Sequence, residues 1–252
     1  MSLRLRTWAS FYDGAGPIRR LIGVWLVLLA PMAEAQLLEI EIAPSADTSI
    51  YQDANDLSNG AGIYLFAGRI ANGLRRRALL RFDDLSAVPD DAIIQEVTLR
   101  LSLSRKREEA GPVTFFLHRV LAPWGEATSD AGVPGGMGIA ADEGDATWST
   151  RFFPDDLWVD PGGDYEADSS TSLLVDDVGD YEWPATERTL SDLALWRAEP
   201  AANHGWIVLD RLTAPLAHAR RFHAREASDP SLQPRLIIRY DQVLLRDGFE
   251  DP

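Results

Sequence analysis

Cysteine is absent from all 252 residues. No disulfide can staple this fold, no thiolate can hold a soft metal, and a cysteine nucleophile is excluded. The serine and zinc signatures are missing too. There is no Gly-x-Ser-x-Gly elbow and no His-Glu-x-x-His pair, and His118, His204, His218 and His223 show no metal-ligand spacing. Basic residues are scarce: 24 lysines and arginines face 39 acids, a formal charge of −15. Such a field makes nucleic acid and anionic membranes poor partners. One apolar run stands out, "LIGVWLVLLA" at 21–30, and it is too short for a comfortable bilayer span.

That run reads instead as the core of an export signal. Arg4, Arg6, Arg19 and Arg20 precede it, and Ala33-Glu34-Ala35 supplies a small-x-small cleavage pattern. The expected organisation is a signal peptide at 1–35, one domain at 36–241, and a short tail at 242–252. Cleavage before Gln36 removes four arginines and two acids and takes the formal charge from −15 to −17.

Alternation of period two dominates the remainder. Val97, Leu99, Leu101 and Leu103 share one face of "IIQEVTLRLSLS", Ala78, Leu80 and Phe82 one face of "RRALLRFD", and Leu236, Ile238 and Tyr240 one face of "PRLIIRY". These are half-buried strands. Further strands are expected at 37–42, 47–51, 63–68, 113–120, 205–210 and 220–224. So many short strands with so little helix predict an all-β, antiparallel β-sandwich of jelly-roll type. Residues 123–187 break the rhythm with Gly- and Asp-rich stretches and read as a long loop excursion. One short helix follows, where Leu190, Leu193 and Trp196 share a face and Pro200 ends the pattern.

Candidate chemistry is sparse. "DANDLSNGAG" (53–62) gathers carboxylates, amides and glycines, but Leu57, Ser58 and Tyr64 stand where an EF-hand needs a ligand, a glycine and a glutamate. It also lacks the Gly-Lys-Ser/Thr of a phosphate loop. Either a wide turn alone or a turn lending oxygens to a calcium ion fits its composition. Asn203-His204-Gly205 reads as a turn into a buried strand. Glu39 and Glu41 share a strand face, as paired glycosidase carboxylates do, yet they fall on the outer, solvated side. No catalytic constellation emerges, and the chain is read as a non-enzyme. Five tryptophans (124, 148, 158, 183 and 206) are candidates for core or for sugar platforms. Of the aromatics, Trp158, Tyr165, Tyr181 and Trp183 fall in the excursion and are the ligand-binding candidates.

Several segments together resemble one family. "RRRALLRFDDLSAVPDDAIIQEVTLRLSL", "PWGEATSDAG", "GDATWSTRFFPDDLWVDPGGDY", "PAANHGWIVL" and "RRFHAREASDPSLQPRLIIRY" are similar, in order, to the blocks of DNRLRE-domain proteins, although the six-letter family string itself is replaced by "NGLRRR". The resemblance runs from about Pro44 to Tyr240. It implies a secreted jelly roll classed with carbohydrate-binding modules, some of which bind acidic polysaccharide. It further implies one structural Ca²⁺ where early strands meet the last ones, with Asp47, Asp53, Asn59 and Glu226 as the expected oxygen donors. The closing "LLRDGFEDP" is similar to a short tail of exported Gram-negative proteins, and points to a secreted or cell-surface destination.

Two functions remain open on these grounds. One is a non-catalytic module that binds an extracellular or cell-surface polysaccharide. The other is a structural or adhesive spacer without a small ligand. For the first, Arg77, Arg81 and Arg100 fall on outward strand positions, as do Arg235 and Arg239, and could form a strip that matches carboxylates in a two-pronged fork. The competing expectation is that outward arginines pair with the many surface acids.

Overall fold

The alternating segments become strands at the expected places. The computed structural model describes residues 37–53, 56–211 and 217–242. The expected leader, and the expected tail beyond Gln242, lie outside the described residues. In chain order the strands begin with β1 (Leu38–Ile42), β2 (Ala46–Tyr51), β3 (Leu57–Ser58), β4 (Tyr64–Arg69) and β5 (Arg75–Arg81). They continue with β6 (Ala92–Lys106), β7 (Val113–Arg119), β8 (Ile139–Ala140), β9 (Thr150–Phe152) and β10 (Asp156–Leu157). The last are β11 (Thr171–Val175), β12 (Gly179–Trp183), β13 (Trp206–Asp210), β14 (Arg220–His223) and β15 (Arg235–Gln242). The α-helix α1 (Glu187–Ala198) precedes β13. No helix among the described residues is long and apolar enough to cross a membrane.

The main sheet runs β1-β15-β6-β14-β4-β5-β13-β7-β11, with β12 also on β6 and β2 also on β5, and the pairings are antiparallel. It curls into two layers because β4 changes partner along its length. Tyr64–Ala67 pair with β14, whereas Gly68 and Arg69 pair with β5. Gly68 makes the corner at φ +104°, and a Cβ there would meet the Ala219 Cα at 3.1 Å. Only glycine takes that conformation at such close approach without strain. The fold is thus the all-β sandwich that the periodicity predicts.

Between the layers lies the inner core: Leu80 and Phe82, Leu99 and Leu101, Trp206 and Val208, Leu236 and Ile238. Helix α1 closes one end. Thr186 and Thr189 exchange side-chain-to-backbone hydrogen bonds at its start, which satisfies two orphan N–H groups. Its apolar face then sends Leu193 and Trp196 into the inner core, with the Trp196 ring 4.8 Å from that of Trp206.

Two features depart from expectation. The excursion is shorter than 123–187, because Thr171–Val175 pairs with β7 and Gly179–Trp183 with β6. The alternation of Tyr181 and Trp183 inward against Asp180 and Glu182 carried that signal beneath an acidic composition. The rest, residues 121–170, folds as a roof over the outer face of the second layer. Trp124, Trp148 and Trp158 bury themselves on Ile50, Leu79, Phe116, Ile207 and Leu209, making a second core. Strands β5, β13 and β7 are therefore covered on both faces.

Candidate functional site

Three carboxylates from distant parts of the chain meet at one end of the sandwich. Asp47 stands opposite Leu80 in the β2–β5 pair, so its side chain shares the inner face. Glu126 comes from the first turn of the roof, and Glu226 from the segment after β14. One oxygen of each lies within 4.8 Å of the others. The group is tightly held: the Asp47 amide donates to Glu126 Oε2 at 3.1 Å, and the Arg225 amide to Asp47 Oδ2 at 2.8 Å. The Arg225 guanidinium spans Glu126 and Glu226 at 2.5 and 2.8 Å. Asp47 Oδ1 and Glu226 Oε2 are buried with no hydrogen-bond partner. Burial, reinforced by the Glu226 charge, raises the Asp47 carboxyl well above the usual range. Burial likewise lifts Glu126 to about 7 and raises Glu226, although Arg225 opposes both shifts. Hard oxygen donors with two orphaned atoms fit a divalent cation such as calcium.

Only Asp47 and Glu226 of the four expected donors belong to this group. Asp53 lies beyond the far end of β2, where the strand rise already separates Asp47 from Tyr51 by about 13 Å. Both Asp53 oxygens are taken by the fully buried Arg76, at 2.9 and 2.5 Å. Asn59 spends its amide on the chain, donating to the Tyr64 carbonyl and accepting from the Ala131 amide. Asn59 and Gly60 of "DANDLSNGAG" accordingly brace the chain. The Gly60 amide donates to Ser129 Oγ, and a Cβ on Gly60 would meet Asp145 Oδ1 at 2.8 Å and Glu126 Cγ at 3.1 Å. The turn holds the Glu126 segment in place rather than ligating. Glu126 was not among the expected donors, because nothing in sequence spacing ties it to Asp47 or Glu226. Its signal was a lone acid beside the buried Trp124.

The expected binding residues disperse. Arg77 is not outward-facing in solvent but 7% exposed. Its guanidinium lies 4.7 Å from the Trp148 ring and 5.3 Å from Tyr165, and donates to the Gly162 carbonyl. Arg81 sits 5.2 Å from the Trp124 ring, donates to its carbonyl and pairs with Asp83. Arg100 belongs to the other layer, where it forms a two-pronged pair with Glu41. On that layer Arg235 also faces Glu41, and Arg239 joins Glu39, Glu96 and Glu182. The continuous basic strip does not form, since the roof takes one half and acids take the other. Trp158 is buried in the roof with its indole donating to the Thr147 carbonyl, and Trp183 is buried in the inner core. Tyr181 straps the β11–β12 turn, donating to the Asp177 carbonyl and accepting from the Asp176 amide.

Tyr165 and Arg77 do meet, in a cleft of about 670 Å³ at the edge of the roof. Arg75, Arg211, His118 and Phe116 line it with them. Arg211 stacks 4.4 Å over the Phe116 ring. His118 Nδ1 lies 2.7 Å from the Glu166 carbonyl. The acids of the cleft are largely spoken for: Asp168 pairs with Arg188, and Asp210 with His218 and Arg69. Among the described residues, no carboxylate forms an ion pair with Arg75, Arg77 or Arg211. The lining thus sets three arginines against Asp160, Asp168 and Asp210, and the arginines are the charges that, among the described residues, lack a carboxylate partner.

No family model matches the chain, and no curated protein matches it significantly.

Proposed function

We propose that this chain is an exported, non-catalytic β-sandwich module that binds an acidic polysaccharide in the cleft between Arg75, Arg211 and Tyr165. The observation that carries the reading is that, among the described residues, the three cleft arginines form no ion pair with a carboxylate. Guanidinium groups match the planar carboxylate of a uronic acid in paired hydrogen bonds, and the Tyr165 and Phe116 rings offer apolar surface to the sugar. Arg77 is locked by its stacking and backbone contact, so it presents its charge with little entropy left to lose. Arg75 and Arg211 are the groups free to close on a ligand. The block-by-block resemblance to carbohydrate-binding DNRLRE domains and the export signal support the same reading.

Affinity electrophoresis tests it. The protein should be retarded in a polyuronate gel and unretarded in a neutral glucan gel, with the retardation fading as salt rises. Arg75→Ser together with Arg211→Ser should abolish it. Equal mobility in both gels would leave the spacer reading, a sandwich with no small ligand.

A further inference from the structure

We propose that Arg105 and Arg221, beside Tyr64 on the other layer, form a second anion subsite, so that the molecule takes an extended acidic chain laid across four strands rather than a single acidic sugar. The sugar nature of the ligand rests on the reading above; the subsite rests on its own geometry. A groove of about 670 Å³ lies there, walled by Phe66, Pro134 and the exposed Met137. Six basic residues line it against two acids, Glu108 and Glu109. Arg76, Lys106 and Arg107 are answered by Asp53, Asp176 and Glu109. Arg220 is fully buried and spends its guanidinium on the carbonyls of Gly111 and His218. Arg105 and Arg221 are left, and among the described residues neither forms an ion pair with a carboxylate.

The fold brings these two charges together against their repulsion. Arg221 stands directly opposite Arg105 in the β14–β6 pair, because a bulge leaves Ser104 without a partner on β14. Arg221 is then fixed in place. Its guanidinium stacks 3.8 Å from the centre of the Tyr64 ring, its Nε donates to Ser104 Oγ at 2.9 Å, and Ser104 Oγ donates to its carbonyl. Burial and the Arg105 charge both hold Arg221 below its usual range, with Tyr64 opposing them. Like charges directly opposite on neighbouring strands destabilise a sheet unless a counter-ion answers them. The same row holds two more such pairs, Arg220 opposite Lys106 and Arg69 opposite Arg75. Asp176 answers Lys106, and Asp210 answers Arg69. Arg75, in the cleft at the roof edge, and the Arg105–Arg221 pair have no such acid. Only β4 and β14 lie between β5 and β6 here, so at ordinary strand spacing the two arginine groups stand roughly 14 Å apart along the sheet. The β4–β5 hairpin is the ridge between the clefts, with Ile70 lining one and Arg75 the other. A polymer with a carboxylate on each unit can meet both groups, whereas a single sugar meets one.

Calorimetric titration of the full chain with oligogalacturonates of increasing length tests the subsite. The wild type should bind an oligomer long enough to reach from Arg75 to Arg105 about tenfold more tightly than it binds the disaccharide. Arg105→Ser together with Arg221→Ser should remove that gain and bring the long oligomer down to the affinity of the short one. Arg105→Ser alone, at an exposed side chain, should remove part of the gain and serves if the double variant fails to fold. Arg100→Ser with Arg239→Ser takes the same charge from acid-paired positions on the same layer and should keep the gain. A long oligomer that binds the wild type no better than the disaccharide overturns the subsite and leaves the cleft reading standing. An equal loss in the Arg100 and Arg239 variant reduces the effect to net charge and overturns it as well. Tight binding that survives Arg75→Ser with Arg211→Ser, but not the Arg105 and Arg221 variant, keeps the subsite and removes the cleft. No heat with any oligomer overturns both.

Discussion

The two outer faces of the sandwich carry the same written pattern and meet opposite fates. On β6 and β15, outward arginines are partly exposed and spend their charge on acids, in the Arg100–Glu41 and Arg239–Glu39 pairs. On β5, the arginines at the equivalent outward positions, Arg77 and Arg81, lie beneath or beside tryptophan rings of the roof. Period two identifies which residues face the core. It is silent on whether the opposite face is wet, because that depends on a segment far away in the chain.

The difference should appear first in the tryptophans that make the roof. Trp158→Ala, which empties a buried site and orphans the Thr147 carbonyl, should cost about 3–5 kcal/mol in urea denaturation. A cost below about 1 kcal/mol would mean the roof is loosely attached. Next come the arginines. Arg77→Ala should cost about 2–4 kcal/mol, since it removes a buried charged hydrogen bond and two ring contacts. Arg100→Ala should stay within about 1 kcal/mol, as exposed ion pairs do. Equal costs for the two would erase the distinction between the faces.

The smallest expected effect is the pH dependence that His118 adds on the covered face. Burial, helped by the Arg77 and Arg211 charges, holds His118 below the usual imidazole range. The folded protein therefore keeps it neutral while the unfolded chain takes up a proton near pH 6.5. Its contribution to stability is complete above that pH and is lost as pH falls through it toward the lower folded value. His118→Gln should flatten that part of the stability profile, read from denaturant midpoints at pH 7 and 5.5. A profile as steep as that of the wild type would remove His118 from the account.

What could be read from sequence follows the same division. Strand positions, the inward faces of β5, β6 and β15, and the stop of α1 before Pro200 were all legible, because each is set by neighbours a few residues away. The roof was not. Trp124, Trp148 and Trp158 sit among glycines and aspartates, and only their distant partners Leu79, Ile207 and Leu209 show that they are core. Strands β11 and β12 hid within the same acidic composition. The acidic group was half legible. The family resemblance implied Asp47, Asp53, Asn59 and Glu226 together, of which Asp47 and Glu226 belong to the group, and Glu126 offered no local pattern at all. The cleft, too, is assembled from β5, β7, the roof and the end of β13, so no window of sequence contains it.

Amide hydrogen exchange with and without a short oligouronate tests the central claim most directly, since it reads the roof and the cleft together. The roof amides of Gly125, Ala146 and Phe153 are hydrogen-bonded within the chain and should exchange slowly even without ligand. Adding the oligouronate should slow exchange further around residues 160–169 and 209–211 and leave β1 and β15 unchanged. Fast exchange across residues 121–170, or protection that appears on the β1–β15–β6 face instead, would contradict the account.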